Sequence, residues 1–85
     1  MAQLFFTNLP HDCSDAELKE WIESRGLEIE SIRIISDLVA RASPAFAYAR
    51  LKDQVRLREA ISMLDGKRMR NRTISVRELE YRFAR

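Results

Sequence analysis

The chain is poor in the residues from which most catalytic and metal sites are built. Its 85 residues include one histidine, one cysteine, two glycines and two prolines. With Cys13 alone, no intramolecular disulfide can form, and a reducing compartment suits such a chain. His11 and Cys13 lie close in sequence, but no further histidine or cysteine exists to complete a zinc site. The segment Asn8 to Ser14 has no glycine with which to build a backbone cradle for phosphate. No nucleophile, base and orienting partner stand out. The expectation is no enzyme, with no catalytic residue, no metal and no cofactor. Long apolar runs are missing too: nothing approaches the roughly 20 residues that cross a bilayer. Phe5 and Phe6 are followed at once by Asn8, Pro10, His11 and Asp12, which is not a signal peptide. Met1, close ahead of the first β-prone segment, reads as a natural start. An intracellular protein is expected, cytoplasmic or nuclear, without membrane contact and monomeric.

What the chain does have is an ordinary globular balance, 46% hydrophobic and 33% charged. Its length allows one domain, with enough core to fold alone at modest stability. The net charge of +2 conceals an asymmetry. Residues 1–40 carry three basic and eight acidic side chains, whereas residues 41–85 carry twelve basic and five acidic. A face or end that meets a polyanion is one reading of this distribution; a surface kept soluble by mixed charge is the other.

Gln3-Leu4-Phe5-Phe6-Thr7 is β-prone and stops at Asn8-Leu9-Pro10. Ser14 and Glu17 form a Ser-x-x-Glu capping box, and Leu18, Trp21, Ile22 and Arg25 follow at helical spacing. A helix is therefore expected over about residues 15–25, stopped by Gly26, with Trp21 in the core. Ile32-Arg33-Ile34 alternates as a strand, and Asp37 begins a turn. Ala45 to Leu51 alternates strictly between small or aliphatic residues and large or polar ones. Asp53 is a candidate N-cap. Leu57, Ala60, Ile61 and Leu64 share one helical face that ends at Asp65-Gly66. Lys67 to Arg72 make a very basic loop, and Thr73-Ile74-Ser75-Val76 alternates as a last strand.

The order is βαββαβ. It predicts an α+β, ferredoxin-like sandwich: a four-stranded antiparallel sheet with both helices on one face. Period-two alternation divides the strand residues between the faces. Leu4, Phe6, Ile32, Ile34, Ala47, Ala49, Leu51, Ile74 and Val76 would pack under the helices. The open face would then carry Gln3, Phe5, Thr7, Arg33, Phe46, Tyr48, Arg50, Ser75 and Arg77. A water-exposed sheet face should be polar, yet this one shows three aromatics bordered by three arginines. Exposed aromatics can stack nucleobases, and arginines can attract phosphates or stack on bases.

At these residues the chain resembles the RNA recognition motif family, over about residues 3–77. Leu4-Phe5-Phe6-Thr7-Asn8-Leu9 is similar to the family's hexamer motif, whose second place, here Phe5, stacks a base. Pro44-Ala45-Phe46-Ala47-Tyr48-Ala49-Arg50-Leu51 resembles the octamer motif, whose third and fifth places are the other stacking positions, here Phe46 and Tyr48. Ala60 to Gly66 and Arg72 to Val76 resemble its second helix and fourth strand. The octamer usually opens with a basic residue and glycine. Pro44 and Ala45 stand there instead, which leaves phosphate contact to Arg41 or Arg50 or to the basic segment after Gly66.

The resemblance implies that residues 1–77 form an RNA recognition motif domain, with residues 78–85 as a basic C-terminal tail or short extra helix. It implies a partner, single-stranded RNA, bound through Phe5, Phe46 and Tyr48 with Gln3, Thr7, Arg33, Arg50 and Arg77. A protein-interaction module on the same fold is the alternative. One branch of the family binds peptides through an acidic first helix and an Arg-x-Phe motif. The helix with Asp15, Glu17, Glu20 and Glu23 is acidic, but Lys67-Arg68-Met69 stands at the motif's place. Acylphosphatases share the strand order, so the catalytic expectation rests on missing residues rather than on fold.

Overall fold

The computed structural model describes residues 2–35 and 45–80. Strand β1 (Ala2–Leu9) leads into helix α1 (Asp15–Glu23), followed by β2 (Ile29–Ile35) and β3 (Ala45–Leu51). A short 3-10 turn (Gln54–Arg56) runs into α2 (Leu57–Leu64). A hairpin of β4 (Arg68–Met69) and β5 (Arg72–Thr73) precedes the last strand, β6 (Ser75–Glu80). The main sheet has the order β2-β3-β1-β6, with every neighbouring pair antiparallel. The expected α+β sandwich is thus present, with a small second sheet, β4-β5, added before the last strand.

The core lies between the sheet and the two helices. Leu18 and Ile22 of α1 and Leu57, Ala60 and Leu64 of α2 are buried with Leu4, Phe6, Ala47, Ala49, Leu51 and Val76 from the strands and Ile74 between β5 and β6. Ile32 and Ile34 are only half-buried, because β2 is an edge strand. Small residues on β3, the central partner of β1, leave room for Phe6, which is fully buried. Emptying that site would cost about 3–5 kcal/mol.

Helix α1 begins as its cap dictates, whereas α2 has no side-chain cap of its own. Ser14 Oγ accepts from the Glu17 backbone N–H at 3.1 Å. The other half of the capping box is diverted: the Glu17 carboxylate accepts from Arg70 instead of reaching back to Ser14. Asp53 caps the 3-10 turn, accepting from Val55 N–H at 3.1 Å, and not α2 itself. Gly26, with φ of 87°, ends α1, since a left-handed residue there breaks the helical path.

Two bulges keep apolar residues facing the core. On β1, Phe6 opposes Ala47 and Leu9 opposes Ala45, so three steps on one strand meet two on the other. Strict alternation would send Asn8 inward; the bulge gives that place to Leu9, which is fully buried. Asn8 takes φ of 68°, which asparagine tolerates better than most residues. Arg72 secures it, donating from Nε to Asn8 O at 3.0 Å and from Nη2 to Asn8 Oδ1 at 2.7 Å. Between Ile29 and Ser31 a second irregularity lets both Ile29 and Ile32 face the core.

The expected basic loop is in fact a tight hairpin. Arg70 (φ 50°) and Asn71 (φ 71°) both have positive φ at its tip, as a type I′ turn needs. Trp21, expected in the core, sits at its margin, half-buried. Its indole N–H donates to Arg68 O at 3.1 Å, while the Arg25 guanidinium lies 4.5 Å from the ring centroid. β6 runs to Glu80, three residues past the expected end of the domain at residue 77. Asp37, the connection 38–43, Arg41, Pro44 and residues 81–85 lie outside the described residues.

Candidate nucleic-acid interface

The sheet face turned away from the helices is set by register. Arg33 of β2 opposes Tyr48 of β3, Tyr48 opposes Phe5 of β1, and Phe5 opposes Arg77 of β6. One row therefore crosses all four strands, with two aromatics in the middle and a guanidinium at each end. Alternation places Phe46, Arg50, Gln3 and Thr7 on the same face, and Thr7 opposes Ser75. All eight residues expected at the site are on this open face, and each is half-buried or exposed.

Phe5, Phe46 and Tyr48 form one cluster. Phe5 and Tyr48 have ring centroids 5.2 Å apart and an interplanar angle of 34°. Phe46 meets Phe5 edge-on at 5.8 Å and 62°, and meets Tyr48 at 6.5 Å and 88°. Such edge-to-face contacts hold the rings in fixed orientations, so they present a stable apolar platform rather than loose side chains. Phe46 is the most open of the three, 37% exposed.

The electrostatics of the face are one-sided. Among the described residues, the ion pairs are Arg56 with Glu59 and Arg70 with Asp12 and Glu17. Arg33, Arg50 and Arg77 take part in none of them. Among the described residues, the open-face positions paired across the strands carry no carboxylate, and exposed Glu30 sits beside them in the β2 irregularity next to Ser31. Nε of Arg50 is withdrawn from solvent and has no hydrogen-bond partner among the described residues. The basic hairpin behaves differently. Arg70 is answered by two carboxylates and holds the Asp12 carboxyl below its usual range. Arg72 is engaged by Asn8. Lys67 and Arg68 are exposed.

Three residues of the face escaped sequence reasoning. Ile35 opposes Phe46, Ser31 opposes Arg50, and Leu79, 40% exposed, opposes Gln3. Continuing the alternation past Arg33 in both directions finds Ile35 and Ser31, and past Arg77 finds Leu79. Together with Gln3, Arg33 and Tyr48 these residues line a groove of about 620 Å³. Among the described residues, no group of three or more His, Cys, Asp or Glu side chains is placed to hold a metal. Among the described residues, no helix is long and apolar enough to cross a membrane.

Comparison with known proteins agrees with this geometry. The family profile described as RNA recognition motif matches residues 4–75. A chloroplastic 28 kDa ribonucleoprotein of Nicotiana sylvestris is 30% identical over 94% of the chain, and glycine-rich RNA-binding protein 10 of Brassica napus is 33% identical over 92%. The chain spans 29% and 46% of those two proteins, so each is much longer. Among solved structures, Pes4 RRM3 superposes with a TM-score of 0.82 over 100% of this chain and 99% of its own, at 20% identity, a likeness of fold alone.

Proposed function

The chain belongs to the RNA recognition motif family, and from that premise we propose that it is a binding module for single-stranded RNA, which stacks bases on Phe5, Phe46 and Tyr48. The observation that carries this reading is the meeting, on one exposed face, of three rings in mutual contact with three arginines that take part in no ion pair among the described residues. Every base has a π face, so stacking on a platform contributes roughly 1–3 kcal/mol per base with little regard to sequence. The bases of a duplex are stacked on each other, whereas unpaired bases are free to splay onto the sheet. Arg33 and Arg77, at the two ends of the Tyr48–Phe5 row, are placed to meet phosphates on either side of the stacked bases. Gln3 and Thr7 add neutral hydrogen-bonding groups along β1. The names of the two curated relatives, a ribonucleoprotein and an RNA-binding protein, point the same way.

The test is a fluorescence-anisotropy titration at low salt with a mixed-sequence single-stranded RNA, a matching duplex and single-stranded DNA. Wild type is compared with a Phe46→Ala/Tyr48→Ala double variant whose fold is verified. Single strands are expected to bind wild type, and the variant to lose at least about tenfold in affinity, given the stacking contribution of two rings. Absence of binding by wild type, or equal binding by the folded variant, would reject the aromatic face as the site.

A further inference from the structure

The main sheet ends on β2, whose outer edge pairs with no strand among the described residues. We propose that this edge pairs with the β2 edge of a second copy of the chain, antiparallel about a twofold axis at Ile32. The two four-stranded sheets then join into one. The proposal does not depend on the RNA-binding reading.

An unpaired edge presents a row of backbone donors and acceptors that another chain can match, and proteins guard such edges with proline, lysine or a covering element. Strand β2, Ile-Glu-Ser-Ile-Arg-Ile-Ile, has neither proline nor lysine. Ile32, Ile34 and Ile35 are only half-buried. A groove of about 300 Å³ opens between this strand and α1, walled by Asp15 and Lys19 on one side and by Ile29, Glu30 and Ile32 on the other. Helix α1 therefore leaves the edge uncovered. The opposite edge, β6, is guarded, with exposed Arg77 and Glu78 in its middle.

A twofold interface must be complementary to itself, and this edge is. Opposed residues of an antiparallel pair share a face and the faces alternate, so the axis falls on a residue. An axis at Arg33 would oppose two like charges. An axis at Ile32 sets Ile32 against the partner's Ile32, and Arg33 against the partner's Ser31. Arg33 then stands beside the partner's Glu30, which adjoins Ser31 in the β2 irregularity. Rotation repeats the contact, so an apolar centre is flanked by two pairs of opposite charge. An unrelated strand would have to reproduce this pattern, whereas a second copy supplies it by symmetry.

Because opposed residues share a face, both open faces lie on the same side of the joined sheet. A long single strand then meets two aromatic platforms, and avidity follows without any new kind of contact. The seam has seven residues a side, against roughly 20–30 in a standard interface. The dimer is therefore weak, and dilution returns the monomer expected from the sequence.

Sedimentation equilibrium of the full chain without RNA, from about 10 μM to about 1 mM, suits an association of this strength. Wild type is compared with Glu30→Lys, with Arg33→Glu and with an equimolar mixture of the two variants. Both native side chains are exposed, and the fold of each variant is verified by circular dichroism. The mass of wild type should rise with concentration and level at twice that of the monomer. Each variant alone opposes like charges twice across the seam, which should raise its dissociation constant at least about tenfold. The mixture should return to within about threefold of wild type, because native Arg33 of one variant meets native Glu30 of the other and the two reversed positions meet each other. Wild type that stays at monomer mass or climbs past the dimer would overturn the proposal. So would variants that associate as wild type does, or a mixture no tighter than its parts.

Discussion

Arg70, at the tip of the β4–β5 hairpin, grips the carboxylate of Glu17, 53 residues earlier at the start of α1, through Nε at 2.7 Å and through Nη2. Its Nη1 meets Asp12 Oδ1 at 2.7 Å. One guanidinium thus ties the hairpin to the β1–α1 junction, and its charge is already answered. The cations of the open face have no such partners among the described residues. The two groups should therefore respond differently to salt. For single strands the logarithm of affinity falls with the logarithm of salt by about 0.7 per phosphate contact. Arg33→Ala and Arg77→Ala are each expected to lower that slope by about 0.7, whereas Arg70→Ala leaves it unchanged. Titrations at several salt concentrations decide this, and a shallower slope for Arg70→Ala would assign the hairpin to the interface.

The same clamp makes stability depend on pH. Hydrogen bonding from Arg70 holds the Asp12 carboxyl below its ordinary value of 3.8 in the folded protein. A group whose pKa falls on folding contributes stability above its unfolded value and loses it as pH drops through the folded value. Urea midpoints measured from pH 6 to pH 2 should hold steady for this contribution down to about pH 4 and then decline. Asp12→Asn, which cannot titrate, should show a smaller decline over the acid part of that range. Parallel curves would disconnect Asp12 from acid unfolding.

Cys13 is buried beside Met69, with the two sulfurs 3.8 Å apart. Burial, aided by the nearby Glu17 carboxylate, pushes its thiol up to about 11. At pH 8 only about one thiol in a thousand is ionised, and the thiolate is the reactive form. A disulfide reagent should label the native protein slowly and the urea-unfolded protein at once. Rapid, complete labelling of native protein would contradict this packing.

Gly66 closes α2 with φ of 83°, its N–H donating to Ile74 O at 2.9 Å. A Cβ there would touch nothing within 4 Å, so only the backbone resists substitution. Gly66→Ala should lower unfolding free energy by about 1–2 kcal/mol, the usual cost of a left-handed non-glycine residue. Affinity for RNA should stay unchanged, because Gly66 stands off the open face. Chemical denaturation and a binding titration check both parts.

Local periodicity made most of this legible in sequence. Alternation in Ala45 to Leu51 separated Ala47, Ala49 and Leu51, which are buried, from Phe46, Tyr48 and Arg50, which are not. Helical spacing likewise found Leu57, Ala60 and Leu64. What periodicity missed has identifiable causes. The β4–β5 strands are two residues each, too short to show alternation, and their turn is made by Arg70-Asn71 without glycine. Glu17 looked like a capping partner because its true partner, Arg70, is distant in sequence. Ser31 was missed by beginning the second strand at Ile32 when it begins at Ile29, and Leu79 by following the last strand only to Arg77, three residues short of Glu80. The site's aromatic centre was therefore readable, while its outer wall was not.

The central claim is that RNA lies across the open sheet face. Titrating uniformly 15N-labelled protein with a short single-stranded RNA and following backbone amide shifts tests it residue by residue. The largest shifts are expected at Phe5, Phe46, Tyr48, Arg33 and Arg77, with the solvent sides of α1 and α2 silent. Shifts confined to α1, α2 or the β4–β5 hairpin, with the amides of β1 and β3 unmoved, would contradict the account.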